Sequence, residues 1–297
     1  MIQSSSKISD GKMFDIVVVL ISAVILVIVL YPLLFVLSAS FSDPAKVMNG
    51  EMWLFPVDFN LDAYAEIFKN NEIWIGYRNT IIYTTLGTII NIGLTTLAAY
   101  PLSRRDLPGR NLMMFMITFT MFFHGGLIPT YLIVQNLGMI DTIWAMVIPN
   151  AIATYNLIVM RTYFQTSIPW ELQEAAMIDG CSNIKLLFKI ILPLSKPIIA
   201  VLVLFYAVAH WNAFFNALIY LRDDALYPLQ LILRQILLVN QLGGTDAAGQ
   251  FGMDEKILLG QSVKYALVVV ASVPVLIMYP FVQKHFVKGV MIGSIKG

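Results

Sequence analysis

Glu174 to Pro193 reads EAAMIDGCSNIKLLFKIILP: Glu-Ala-Ala, three residues, Gly, nine residues, then I-x-L-P. Strong helix formers interrupted once by Gly180 and closed by Pro193 predict two short helices joined by a tight turn. The stretch lies in a polar gap between long apolar runs, so the hairpin is expected at a membrane surface, where another protein could grip it.

The surrounding chain sets the solvent. Of 297 residues, 58% are hydrophobic and 12% charged, against about 25% charged in an ordinary soluble domain. A helix needs about 20 apolar residues to cross a hydrocarbon core of about 30 Å. Six runs qualify, at residues 16–40, 77–101, 111–134, 140–163, 196–221 and 264–284. They are far longer than barrel strands, and each helix would satisfy its own backbone in lipid. The expectation is therefore an all-α membrane protein with six transmembrane helices. The first run follows Lys7 and Lys12, but its apolar part is too long for a signal peptide and reads as an uncleaved anchor.

Charge orients the spans, because Lys and Arg are retained on the cytoplasmic side. With the N-terminus inside, 12 of the 19 basic residues fall on inner segments and 12 of the 18 acidic residues fall on outer ones. Both termini, the 102–110 turn and the 164–195 segment are thus expected in the cytoplasm of a multi-pass membrane protein. The outer loops 41–76 and 222–263 are the long excursions on the opposite side, where they could meet something arriving from outside.

Within the hairpin, Ser167 is expected to cap a first helix with Pro169 and Glu171 in its opening turn, and Gly180 to stop it in a left-handed conformation. Leu172, Ala175, Ala176 and Ile178 would form its apolar strip. Ser182 would cap the second helix, and Pro193 with Pro197 would mark its exit into the fifth span. Cys181, the lone cysteine, has no internal disulfide partner and reads as a small packing residue.

These residues resemble a known family, the integral-membrane subunits of ATP-binding-cassette importers with the binding-protein-dependent (type I) permease fold. The family's signature is matched at Glu174, Ala175, Ala176, Gly180, Ile190, Leu192 and Pro193. The resemblance implies that the 167–193 hairpin is a coupling element, with Asp179 beside the glycine bend, docking on a separate ATPase. LSRRDLPGRN (102–111), GGLIPTYLIVQNLGMIDTIWAMVIP (125–149), WNAFFNALIYL (211–221), YPLQLILR (227–234) and VKGVMIGSIKG (287–297) look like the carbohydrate-uptake branch, specifically the shorter, six-span permease of oligo- and polysaccharide systems. That implies a second permease as heterodimer partner, a dimer of ATP-binding subunits and an extracytoplasmic sugar-binding protein, with no nucleic acid. It also implies that the tail, including Gly293, Ser294 and Lys296, reaches the ATPase. The organisation expected is residues 1–74 as tail, first span and outer loop, 75–285 as permease core, and 286–297 as cytoplasmic tail.

No G-x-x-x-x-G-K-[ST] occurs, so this chain is expected to bind no cofactor itself, ATP and Mg being used by the partner. Polar side chains inside spans mark protein- or water-facing positions. Asn212 and Asn216, four apart in the fifth run, are the preferred lining of a translocation path, with Tyr206 and Trp211 able to stack on a sugar ring. Interhelical bonding and packing are the competing roles for these residues, for Asn91 and for His210. Gly87, Gly93, Gly125 and Gly126 read as packing positions rather than hinges. The RRDLPGR turn could salt-bridge the ATPase or anchor to an anionic leaflet. A non-sugar cargo is the alternative within the class. An intramembrane enzyme is disfavoured, since neither H-E-x-x-H nor G-x-S-x-G occurs and the three histidines fall on different segments.

Overall fold

The computed structural model describes residues 6–242, 260, 262–278 and 280. Its regular structure is entirely helical among the described residues. In chain order the helices are α1 (Ser6–Ser40), α2 (Pro44–Met48), α3 (Asp62–Lys69), α4 (Asn71–Ser103), α5 (Arg110–Phe119), α6 (Leu127–Asn136), α7 (Ile143–Val147) and α8 (Thr154–Thr166). Then come α9 (Trp170–Ile178), α10 (Asn183–Leu186), a π turn (Leu187–Ile191), α11 (Leu192–Leu194), α12 (Lys196–Trp211) and α13 (Phe215–Tyr220). A 3-10 turn (Asp224–Leu226), α14 (Leu229–Leu242) and α15 (Ser262–Met278) complete the order.

The chain divides into two compact units, residues 1–70 with 236–272, and residues 71–235 with 273–297. In the first, α1 is apolar on every side and exposed from Gly11 to Leu33, as a helix built to face lipid would be. The segment that follows is folded rather than loose. Asp43 caps α2 by accepting from the Ala45 and Lys46 N–H groups at 2.9 and 3.2 Å. Ser38 Oγ donates to the Leu54 carbonyl at 2.6 Å, and Tyr64 donates to Ser40 Oγ at 2.8 Å. Phe41 stacks between Phe59 and Tyr64, and Lys46 pairs with Asp58. Trp53 and Phe55 are left 81% and 77% exposed.

In the second unit α4 is the axis, packed on α8 and α12. By length and composition Gly11–Ser40 and Asn71–Ser103 can each cross a bilayer, and Asn183–Leu194 with Lys196–Trp211, bent by 82°, makes a third if read as one broken span. The other long runs are discontinuous, which corrects the expectation of uninterrupted helices. The third run stops at Phe119 and resumes at Leu127 across Gly125 and Gly126, with Gly126 at φ +92°. The fourth breaks between Val147 and Thr154, around Pro149, which lacks a donor and clashes with a preceding carbonyl. The fifth breaks at Asn212–Phe214 with no glycine or proline to mark it. Of the sixth run only the part within α15 and residue 280 is described.

Glycine roles divide accordingly. A Cβ on Gly87 would come 2.3 Å from the His210 ring, so Gly87 is a packing position. Gly93 has open space around it, and Gly125 and Gly126 interrupt a helix rather than seat a neighbour.

Candidate functional site

The hairpin forms where the residue pattern places it. α9 ends in a left-handed stop: Gly180 has φ +71°, its N–H donates to the Met177 carbonyl at 3.0 Å, and Cys181 N–H donates to the Ala176 carbonyl at 2.9 Å. Ser182 caps α10 through the Lys185 N–H at 3.4 Å. Cys181 is half-buried against the hairpin's core, in keeping with a packing role.

Two local expectations change. Ser167 closes α8 instead of opening the next helix, and α9 starts at Trp170 after Pro169 with no side-chain cap. The second helix is not one regular α-helix, because α10 widens into the π turn before α11. The expected strip also splits. Ala176 is buried, whereas Leu172, Ala175 and Ile178 face outward, Ile178 at 86% exposure. Glu174, Asp179 and Gly180 are exposed too; Ile190 and Leu192 are half-buried and Pro193 is exposed. Glu174 accepts from the Trp170 indole N–H at 2.5 Å.

What holds the hairpin is a residue the sequence reading did not single out from its neighbours. Arg104, 6% exposed, forks onto Asp106 at 2.8 and 2.6 Å and donates to Tyr100 Oη and Asn183 Oδ1, each at 3.0 Å. It also reaches Met177 Sδ at 3.4 Å, and its guanidinium lies 5.8 Å from the Trp170 ring centre. One buried cation therefore joins the end of α4, the 102–110 turn and both arms of the hairpin. The guanidinium holds the Asp106 carboxyl below the usual carboxylate range. Beside it the carbonyl end of α4 is capped three times. Arg161 donates to Leu102 O at 3.0 Å, Gln165 to Ser103 O at 3.2 Å and Arg110 to Arg104 O at 3.1 Å. Of the RRDLPGR turn, then, Arg104 binds the chain's own hairpin and Asp106 holds Arg104 in place.

A second polar cluster lies inside the helix bundle. Asn91 Nδ2 donates to the Asn150 and Ala151 carbonyls, both at 2.8 Å, and its Oδ1 meets His210 Nε2 at 2.6 Å. Tyr206 Oη accepts from Ala153 N–H at 3.2 Å and meets Thr95 Oγ1 at 2.7 Å. Together they satisfy backbone groups that the break in the fourth run leaves without helical partners, as an apolar surrounding requires.

Tyr206, 4% exposed, is thereby committed to the break, and Trp211 is buried with its ring 6.2 Å from that of Tyr77. Asn212 is exposed at the end of α12, donating to Val208 O at 2.8 Å, while Asn216 is half-buried in α13. The expected single helical face for the two asparagines is absent, because the helix ends between them. Gly293, Ser294 and Lys296 lie outside the described residues.

A long helix apolar on every side, broken helices whose free backbone groups are met by the Asn91 amide and the Tyr206 hydroxyl, and an exposed, clamped hairpin mark a membrane-embedded transport subunit. Residues 73–292 match the model of a family described as the binding-protein-dependent transport system inner membrane component, and the chain belongs to that family. It is 42% identical over 287 residues to Protein LplC of Bacillus subtilis (strain 168), covering 97% of this chain and 96% of that protein. It is also 42% identical over 289 residues to the polygalacturonan/rhamnogalacturonan transport system permease protein YtcP of the same organism, covering 97% and 99%. Among solved structures it resembles a chain of a bacterial ABC transporter involved in the import of the acidic polysaccharide alginate, with TM-score 0.82, 33% identity, and 93% and 98% of the two chains covered. The architecture is the type I ABC importer permease fold, and members of the family are transport permeases rather than enzymes.

Proposed function

We propose that this chain is one of two permease subunits of an ATP-driven sugar importer, taking an oligo- or polysaccharide across the membrane. The names of its relatives, a polygalacturonan/rhamnogalacturonan permease at 42% identity and an alginate importer at 33%, support the cargo class. The observation that carries the driven mechanism is the hairpin. Leu172, Ala175 and Ile178 form an outward apolar face beside Glu174, Asp179 and the Gly180 turn, on a mount fixed by Arg104.

In this reading the chain crosses the membrane six times, three of the passes being broken helices, with both termini and the hairpin in the cytoplasm. The hairpin seats in the ATPase dimer, which uses ATP and Mg; this chain binds neither. Rigid motion of the ATPases moves the hairpin, and the 82° bend between α11 and α12 passes it to the fifth span. Ile190, Leu192 and Pro193 belong to the same coupling element, and at the bend Ser195 donates to the Ile191 and Leu192 carbonyls at 2.7 and 3.0 Å. Gly293, Ser294 and Lys296 reach the same ATPases. Asn212 and Asn216 line the path at the break in the fifth run, with Tyr206 and Trp211 packed behind it. Broken helices leave backbone amides and carbonyls at such a point, where a polar solute can use them. A sugar-binding protein delivers the cargo on the opposite side.

The test is co-purification of the tagged chain from its native membrane. Recovery of a second permease, two copies of an ATPase and a binding protein holding a glycan is expected. Recovery of the chain without any ATPase, under conditions that keep other importers whole, would sink the reading.

A further inference from the structure

The hairpin end of the second unit contains a cavity of about 220 Å³ lined by Arg105, Arg110, Gln165, Trp170 and Gln173 among others. Among the described residues, neither Arg105 nor Arg110 has a carboxylate within ion-pairing distance. Arg110 spends one N–H on the Arg104 carbonyl, and Arg105 lies 5.7 Å from the Trp170 ring centre. Arg105 is exposed and Arg110 half-buried at this cavity, and a guanidinium fork matches the geometry of a phosphate group. Gln173 provides a separate observation. It is 5% exposed, it lines the same cavity, and its side-chain carbonyl has no hydrogen-bond donor. A buried amide oxygen left unpaired costs about 1–3 kcal/mol, which a donor on an occupant would remove.

We infer that this cavity binds a phosphate group carrying a neighbouring hydroxyl. The phosphate meets Arg105 and Arg110, and the hydroxyl donates to Gln173. An inner-leaflet phosphatidylglycerol headgroup has both groups, and so does soluble glycerol 3-phosphate. The cavity stands beside the mount of the hairpin, through Trp170 and the 102–110 turn, so its occupant stiffens the element on which the proposed coupling depends. The inference rests on that reading for the leaflet and for its consequence, but not for the binding itself.

The full chain, purified with whatever subunits accompany it, would be placed in phosphatidylcholine nanodiscs with and without phosphatidylglycerol, and bound lipid counted by native mass spectrometry. One retained phosphatidylglycerol is expected, falling about fivefold in Arg105→Gln, falling also in Gln173→Leu, and surviving in Arg105→Lys. Displacement of the lipid by millimolar glycerol 3-phosphate, or binding of that anion alone in neutral nanodiscs, assigns the same site to the soluble source. Equal retention in all three variants, with unchanged melting temperatures, overturns the inference. So does loss of ATPase subunits from Arg105→Gln while the lipid stays, because the arginine would then serve a protein carboxylate. Absence of ATPase from the wild-type preparation counts against the transporter reading alone.

Discussion

Gly180 is the one hairpin position where backbone geometry dictates the residue. At φ +71° a β-branched side chain is strained by about 1–2 kcal/mol, and the strain falls on an exposed turn with nothing within 4 Å of the Cβ position. Gly180→Val is therefore expected to leave the helix bundle folded while abolishing sugar-stimulated ATP hydrolysis, and Gly180→Asn, which tolerates the left-handed region, to retain a measurable part of it. Full coupling in the valine variant would refute the docking role. Arg104 makes the complementary case. Its substitution by Met should lower the midpoint of thermal unfolding, with a loss of about 2–4 kcal/mol, because Asp106, Asn183 and Tyr100 lose a shared donor. Arg104→Lys should recover little, since an ammonium cannot fork onto Asp106. The pair also has a pH signature. Asp106 titrates below its unfolded value, so the stabilisation is complete at neutral pH and is lost only as pH falls through the depressed folded value. Coupled activity that falls at mildly acidic pH, well above the carboxylate range, would need another cause.

At the scale of elements, the broken helices matter most. Asn91 serves two carbonyls of the 148–153 break and His210 at once, so Asn91→Leu strands three groups in an apolar interior. A loss of about 2 kcal/mol is expected, and the double variant with His210→Leu should cost less than the sum of the single changes, as measured by a double-mutant cycle on thermal unfolding. Additive losses would show that the two side chains act separately. The runs 111–134, 140–163 and 196–221 have the apolar length of spans, yet length cannot reveal a break. Gly125, Gly126 and Pro149 offered a signal for two of the three. Asn212–Phe214 contains neither glycine nor proline, so that break carried no comparable signal. Changing Asn212 and Asn216 together to Leu is expected to alter sugar affinity in transport while assembly persists; unchanged affinity and specificity would remove both from the path.

For the whole molecule, an apolar composition and one hairpin pattern carry most of the assignment. The membrane setting, the helical class and the left-handed stop at Gly180 were legible because they depend on local chemistry: apolar length, helix propensity, and a glycine that alone adopts the turn freely. The same local rules misplaced the cap at Ser167 and the face shared by Asn212 and Asn216, since both depend on where a helix ends. They also left Arg104 undistinguished among the arginines of its turn. A guanidinium that reaches Asn183, 79 residues further on, is defined by a long-range contact that no window of sequence contains.

By itself, then, the sequence determined the solvent, the class of fold and the position of the hairpin, because each is a property of short stretches and of the residue types within them. Only the tertiary structure decided which helices break, which polar groups close the breaks, and which cation mounts the hairpin. Those outcomes follow from satisfying buried donors and acceptors across distant segments, and the partners become known only when the segments meet.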